Sequence, residues 1–290
     1  MSAAGEVDLS SCGVHADGQL KLSVSMSNGI TSVSELYQQT PLRVLFPRTE
    51  VAEPLTAVVV NSSGGVVGGD RLEVSVEVGD GASLLVTGQA EEKIYRSSGA
   101  EATVVTTLMA GAGSIIEFLP QGTIVFDAAR FRRLTVIDGA PGSRVMAGEM
   151  LTLGRVERGE KYSTGRLHDE WRVLRNGRLA WSDALHLSDS HAAVIRPALE
   201  SPAGFNGSPG YATFIYMADD AAERVESARK IQDQTSANVQ AGVTSFDGLL
   251  VARWLGDKPE DVRTAFGIFW AQFRASTCGY PERLPTIWNI

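Results

Sequence analysis

The stretch Asn61–Val74, NSSGGVVGGDRLEV, places Gly64, Gly65, Gly68 and Gly69 within six residues and follows them with the carboxylate of Asp70 and the guanidinium of Arg71. Gly64 and Gly69 have the spacing of a phosphate-binding GxxxxGK[ST] loop, but Asp70 and Arg71 stand where a lysine and a hydroxyl are required. A carboxylate there repels the phosphate that the backbone N–H groups would cradle. The loop also leads into Arg71–Val78, which alternates as a strand, whereas a phosphate loop opens a helix whose N-terminus attracts the anion. The same objection removes a dinucleotide fingerprint. What remains is a backbone that passes close to another chain segment, with a carboxylate held at its end. A tight turn in which Asp70 pairs with Arg71 or a neighbouring strand is the alternative.

Other chemistry-bearing residues are sparse. Gln89–Gly99, QAEEKIYRSSG, concentrates Glu91, Glu92, Lys93, Tyr95 and Arg96. It reads as a solvated strand end, or as a buried lysine that needs a carboxylate partner. The four histidines, His15, His168, His186 and His191, form no HExxH pattern and no cluster with cysteine, so a tight structural zinc site is not expected. His186 and His191 are five apart in a strand-like region and point to opposite faces. No GxSxG elbow suggests a serine hydrolase. Cys12 and Cys278 stand at opposite ends of the chain and give neither a disulfide framework nor CxxC spacing.

The elements that must position these groups are mostly strands. Arg71–Val78 puts Leu72, Val74, Val76 and Val78 on one face and Glu73, Ser75 and Glu77 on the other, the period of a half-buried strand. ATVVTTLMA, GTIVFDAA and FRRLTVID read as further strands. Val78–Val86, Ala110–Phe118 and Asp138–Ala147 share one plan: a Gly-rich turn, a serine, then a new apolar run. Their lead glycines, Gly79, Gly111 and Gly139, recur at about 30 residues. That suggests stacked layers like the coils of a β-helix, although a sandwich with evenly spaced hairpins gives the same pattern. In EWRVLRNGRLAWSDAL, Asn176-Gly177 predicts a two-residue type I′ turn that pairs Leu174 with Leu179 and Arg172 with Trp181. Pro197–Tyr211 reads as a surface loop.

Asp219–Gln234 then predicts a helix opening on acidic residues. A second helix starts near Pro259, with Glu260 and Asp261 in its first turn. Its Val262, Phe266, Phe269, Trp270 and Phe273 form one broad apolar stripe. Core packing is the default for such a stripe; partial exposure to a partner protein is the other reading. FDGLLVARWLGD, between the helices, reads as a strand that rejoins the sheet.

A chain of 290 residues, 43% hydrophobic and 21% charged, is at the upper limit of what one core supports. Its formal charge of −8 argues against non-specific nucleic-acid binding, which draws on lysine and arginine. No run of about 18 apolar residues predicts a membrane span. The N-terminus lacks a basic and an apolar signal region, so a cytoplasmic location is expected.

Several segments together resemble the urease accessory protein UreD (UreH) family. They are GGVVGGDRLEVSVEVGDGASLLVTGQAEEKIYRS, FLPQGTIVFDAARFRR, LTLGRVERGE and the closing LPTIWNI, in the family's order from about Pro41 to the C-terminus. The resemblance implies a mainly β fold of stacked sheets with β-helix-like topology and a small helical portion towards the C-terminus. It implies one UreD-like unit over 1–290: a loosely matching part at 1–40, a β-rich part at 41–217 and a helix-containing part at 218–290. By resemblance the family is not enzymatic. It is a scaffold and nickel chaperone that binds urease apoprotein and UreF, with the GTPase UreG held through UreF, and conducts nickel to the urease active site. No tightly bound cofactor is expected, only nickel in transit.

Carried over position by position, the resemblance makes Asp70, Glu149 and Asp183 acidic residues of the nickel passage and Lys93 a polar residue lining it. Such a route needs oxygen ligands that attract a hydrated divalent cation yet release it, where a Cys/His cage would trap it. Two positions depart from the family pattern: Gly122 where a glutamate is expected and Gly88 where a threonine is common. Phe266, Phe269, Trp270 and Phe273 are the expected contact with UreF. An enzyme using Asp70, Lys93 and Glu149 for acid–base work and a generic interaction module are the competing readings.

Overall fold

In the computed structural model the described residues are 15–50, 52–189, 195–235 and 238–289. Cys12 and His191 lie outside them. Two hairpins come first: β1 (Asp17–Ser27) with β2 (Ile30–Gln38), and β3 (Leu42–Leu45) with β4 (Leu55–Asn61). The chain then winds in coils. The first is β5 (Arg71–Val78), β6 (Ser83–Gly88) and β7 (Glu92–Ile94). The second is β8 (Ala102–Ala110), β9 (Ile115–Leu119) and β10 (Thr123–Val125), and the third is β11 (Arg130–Gly139) with β12 (Arg144–Leu153). Strand β13 (Arg166–Arg175) starts a fourth coil and turns back into β14 (Arg178–Ser188).

Each strand lies parallel on its counterpart one coil later: β5 on β8 on β11 on β13, β6 on β9 on β12, and β7 on β10, which continues onto the end of β12. The fold is therefore mainly β, with the stacked, β-solenoid topology that the thirty-residue recurrence suggests. The recurrence has a local cause. Each coil turns the same corner, where Gly81, Gly113 and Gly142 adopt φ of 68°, 64° and 73°, a region that costs a residue with a Cβ. Beside them the hydroxyls of Ser114 and Ser143 donate to the carbonyls of Gly111 and Ala140 at 2.8 and 2.7 Å, closing the turn.

The result is two facing sheets. One has seven strands in the order β14-β13-β11-β8-β5-β1-β2. In the other, β15 (Gly210–Met217), β17 (Leu249–Gly256) and β16 (Gln240–Phe246) extend the parallel β4-β6-β9-β12 ladder in antiparallel fashion, and β3 closes the far edge. Among the described residues the main path of each sheet thus ends at both sides in an antiparallel strand, β2 and β14 in one and β3 and β16 in the other, while the short side branch β12-β10-β7 ends in a parallel strand. Alternation along the strands buries Val76, Leu108 and Ile137 of one sheet against Leu84, Ile116 and Val145 of the other.

The larger sheet is apolar on both faces. Its outer face, with Met146, Phe214 and Trp254, is covered by α2 (Val225–Thr235) and α3 (Pro259–Cys278); a short α1 (Ile195–Glu200) precedes them. Helix α2 begins later than the acidic run from Asp219 suggests. Asp220 accepts hydrogen bonds from Tyr216 Oη (2.8 Å) and Arg224 Nε (2.9 Å), which hold this segment as turns.

The structure corrects two expectations. Phe266, Phe269, Trp270 and Phe273 are each no more than 1% exposed, so they are core and offer no partner surface. Phe214 meets Phe269, Trp270 and Phe273 edge-on at 5.1 to 5.3 Å. Burying each such ring is worth roughly 1.5–3 kcal/mol, which favours the sheet over solvent as their neighbour. The second correction is one of register. The Asn176-Gly177 turn forms with positive φ at both positions, and Leu174 does pair with Leu179. A bulge between Val173 and Leu174 then sets Trp181 opposite Val173, and Arg172 opposite Ser182.

Candidate functional site

The glycine loop makes the close approach that its composition suggests. Val66 N–H donates to Lys93 O at 2.8 Å, and Tyr95 N–H donates back to Val66 O at 2.9 Å. A Cβ on Gly65 would lie 2.3 Å from the Tyr95 ring, and one on Gly68 would lie 2.6 Å from Ala100 O. The glycine loop and the Lys-Ile-Tyr-Arg segment are thus one packed unit. Asp70 closes it from inside: it is 4% exposed, its Oδ1 accepts from Ala16 N–H (2.7 Å) and its Oδ2 from Val67 N–H (2.9 Å). Both oxygens serve the backbone.

Beside this unit a cavity of about 340 Å³ opens between the two sheets. Its polar lining includes Asn61, Thr87, Glu92, Thr106, Arg133 and Glu149. A wider cleft of about 1000 Å³ lies outside it, and Gln89, Ala90, Glu91, Lys93, Gln121 and Gly122 line both. At this shared rim a Cβ on Gly122 would lie 2.8 Å from Glu91 Oε1. The Glu91 carboxylate therefore occupies the space that a longer side chain at 122 would need, and the rim keeps a carboxylate although position 122 has none. Arg263 completes the rim: Nη2 donates to Gln121 Oε1 at 2.5 Å while the guanidinium stacks 3.9 Å from the Trp288 ring centroid.

Arg133 and Glu149 form the cavity floor, and the buried Asp169 backs Arg133 from behind the lining. Arg133 Nε and Nη2 each donate to Asp169 at 2.8 Å, a bidentate pair, and Nη1 donates to Thr123 Oγ1 at 3.1 Å. Glu149 is the third member. Its Oε1 accepts from Thr135 Oγ1 at 2.8 Å. Its Oε2 lies 2.8 Å from Arg133 Nη2, but off the hydrogen-bond direction, and is left without a donor. Burial pushes the Glu149 carboxyl up to about 8, against the attraction of Arg133 and with the help of Asp169. For Arg133 burial acts downward, yet Asp169 and Glu149 together hold it above its ordinary value. Both directions have one cause: a single guanidinium neutralises Asp169, and burial makes a second full negative charge beside it unfavourable. Thr87 Oγ1, also buried and lining the cavity, has no hydrogen-bond partner either. Half-buried Glu92 is raised by burial.

Of the acidic and basic positions singled out from sequence, the structure brings Lys93 and Glu149 to one cavity. Asp70 and Asp183 are absent from its lining. Asp183 is paired with Arg253 on β17, both more than a third exposed. The chemically interesting residues that sequence reading passed over are Arg133 and Asp169. The signal was there: Phe131, Arg133, Thr135 and Ile137 share one face of a strand, as do Leu167, Asp169, Trp171 and Val173. A charge in phase with an apolar face is a buried charge.

Among the described residues no group of three or more His, Cys, Asp or Glu side chains is arranged to hold a metal ion. The cavity can instead offer scattered oxygen donors, two of which receive no hydrogen bond, along a wall open to a cleft. That suits brief contact with a cation better than retention.

Comparison with known proteins gives the family. The family model for the UreD urease accessory protein matches residues 16–289. Urease accessory protein UreD of Magnetococcus marinus is 39% identical over 278 residues, 94% of each chain. The protein of the same name from Azorhizobium caulinodans is 36% identical over 95% of this chain and 97% of its own length. That from Dechloromonas aromatica is 35% identical over 93% of each. With a match that spans nearly the whole solenoid and its covering helices, this chain belongs to the UreD urease accessory protein family.

Proposed function

We propose that the chain is a non-catalytic urease maturation factor that works in the cytoplasm as a scaffold and nickel chaperone. In this reading it binds urease apoprotein and UreF, reaches the GTPase UreG through UreF, and passes nickel through the inter-sheet cavity. Nickel is cargo here, not a resident cofactor. The observation that carries the route is a pair of buried oxygens that receive no hydrogen bond, Glu149 Oε2 and Thr87 Oγ1, in a cavity whose rim bears Glu91 and Lys93. A divalent cation entering from the cleft meets Glu91 first, then oxygen donors spaced along the wall. Glu149 holds a proton when the cavity is empty and gives it up to the cation's charge, so entry adds less net charge to the interior. Arg133, locked to Asp169, keeps the floor from becoming a trap of several carboxylates. The acid–base enzyme reading needs Asp70, Lys93 and Glu149 in one cluster, and Asp70 is committed to two backbone amides outside the cavity lining.

The test is co-expression with UreF, UreG and urease apoprotein of one organism, followed by affinity capture, sizing and a urease activation assay. The expected result is a co-eluting complex that Glu149→Ala and Thr87→Val leave assembled while both lower activation. A chain that ignores all three partners, or variants that activate urease at the wild-type rate, would overturn the proposal.

A further inference from the structure

The outer face of the seven-stranded sheet carries a second group of ligating side chains, turned away from the cavity. His168 on β13 and His186 on β14 stand directly opposite each other in the antiparallel ladder. Their Nδ1 atoms are 3.2 Å apart, with ring centroids at 5.4 Å and planes at 65°. The other nitrogen of His168, Nε2, lies 3.1 Å from Glu170 Oε2. Glu170 is itself fixed by Arg172 Nε at 2.6 Å and by Arg132 at 3.7 Å. With both arginines turned towards it, the Glu170 carboxylate accepts the Nε2–H of His168. In neutral His168 the Nδ1 lone pair then faces His186. In the metal-free protein His186 Nδ1–H donates to that lone pair at 3.2 Å; with its proton on Nε2 instead, His186 presents a second Nδ1 lone pair to the same point.

We infer that His168 Nδ1 and His186 Nδ1 form a two-imidazole site for a borderline divalent transition cation, with Glu170 as the positioning residue that sets the tautomer and orientation of His168. The geometry carries this. Metal–nitrogen bonds of about 2.0–2.1 Å place two neighbouring ligand nitrogens roughly 2.9–3.4 Å apart, and the separation here is 3.2 Å. A carboxylate on the far nitrogen of a ligating histidine is the usual second partner of such sites. Imidazole selects nickel, copper and zinc over calcium and magnesium. Two protein ligands on a surface leave the remaining positions to solvent, so the site holds and exchanges its ion. Asp169, between His168 and Glu170 in sequence, points to the opposite face. This outer site therefore stands independently of the nickel route proposed above.

The test uses the full chain with imidazole-labelled histidine, titrated with nickel chloride and, separately, zinc chloride, read by NMR and by equilibrium dialysis at neutral pH. Nickel is expected to broaden the His168 and His186 ring signals before that of His15. His168→Ala and His186→Ala should each lower affinity by roughly tenfold or more, and Glu170→Gln by roughly tenfold to a hundredfold. In wild-type protein the ring signals give the answer even where a variant folds poorly. If neither ring responds to nickel or zinc, or if His168→Ala/His186→Ala leaves the binding isotherm unchanged while Glu149→Ala abolishes it, the inference falls and the cavity route stands. If the two rings respond and Glu149→Ala has no effect on urease activation, the outer site stands and the cavity route falls.

Discussion

Replacing Glu149 with glutamine separates two accounts of the cavity floor. If Glu149 were one half of a buried ion pair with Arg133, breaking the pair would cost roughly 3–5 kcal/mol. The structure argues otherwise: Arg133 is already matched by Asp169 with two bonds of 2.8 Å, and burial lifts Glu149 from 4.5 to about 8. The carboxyl is then neutral in the folded protein at pH 7, and a neutral amide of the same shape replaces it at little cost, within about 1 kcal/mol or with a gain. The sign with pH is fixed by linkage. The folded state keeps a proton that the unfolded state releases near 4.5, so wild-type stability falls as pH rises from about 5 towards 8. The slope is at most about 1.4 kcal/mol per unit. Sharing of charge with Asp169 and Arg133 reduces this to a total on the order of 1–3 kcal/mol between pH 5 and 7.5. Urea denaturation of wild type and Glu149→Gln across that range, in metal-free buffer, measures it, with Asp169→Asn as the variant that does strand Arg133. A Glu149→Gln protein that is less stable by more than about 2 kcal/mol at pH 7, with a pH slope parallel to wild type, would refute the reasoning: Glu149 would then be ionised and structural.

Three further outcomes follow from geometry. Arg274, 1% exposed, donates to both oxygens of the fully buried Glu117 at 2.8 Å, so Arg274→Met should cost roughly 3–5 kcal/mol in chemical denaturation by stranding that carboxylate. Gly68→Ala drives a methyl into Ser97 and the Ala100 carbonyl and should cost about 1–3 kcal/mol, visible as a lower melting temperature. Glu160 is held at about 2, first by its hydrogen bond with Arg155 and then by the amides of Asp127 and Arg155. Its contribution is complete above pH 4.5 and is lost as pH falls through 2. Glu160→Gln should therefore be about 1–2 kcal/mol less stable at neutral pH, after discounting for partial exposure, with the gap closing in acid melts.

The parts of the fold legible in the sequence are those set by local rules. The recurrence read from Gly79, Gly111 and Gly139 marks the same corners at which Gly81, Gly113 and Gly142, each two residues ahead of a strand, take positive φ coil after coil. The Asn176-Gly177 turn is equally local. The slip at Val173 is not: the ladder skips Ala180, and nothing in the residue types of the hairpin marks that skip. Helix α3 shows its apolar stripe plainly, but the stripe is silent on what covers it; Phe214 and Trp254, distant in sequence, decide that. Asp70 is the instructive site residue. Its place after four glycines shows that it is held, and only the fold shows that it is held by Ala16 and Val67. Arg133 and Asp169 were readable from alternation alone, since each interrupts an otherwise apolar strand face.

The antiparallel strands at the ends of both main sheet paths have a consequence for self-association. A parallel ladder is an open template: another coil of the same length can add to it and present the same edge again. Here the chain reverses at β2, β14, β3 and β16, so the hydrogen-bond phase on each rim differs from the phase between coils. A second copy meeting one of these four rims finds an antiparallel strand there, so it cannot add as one more coil in the parallel register of the solenoid.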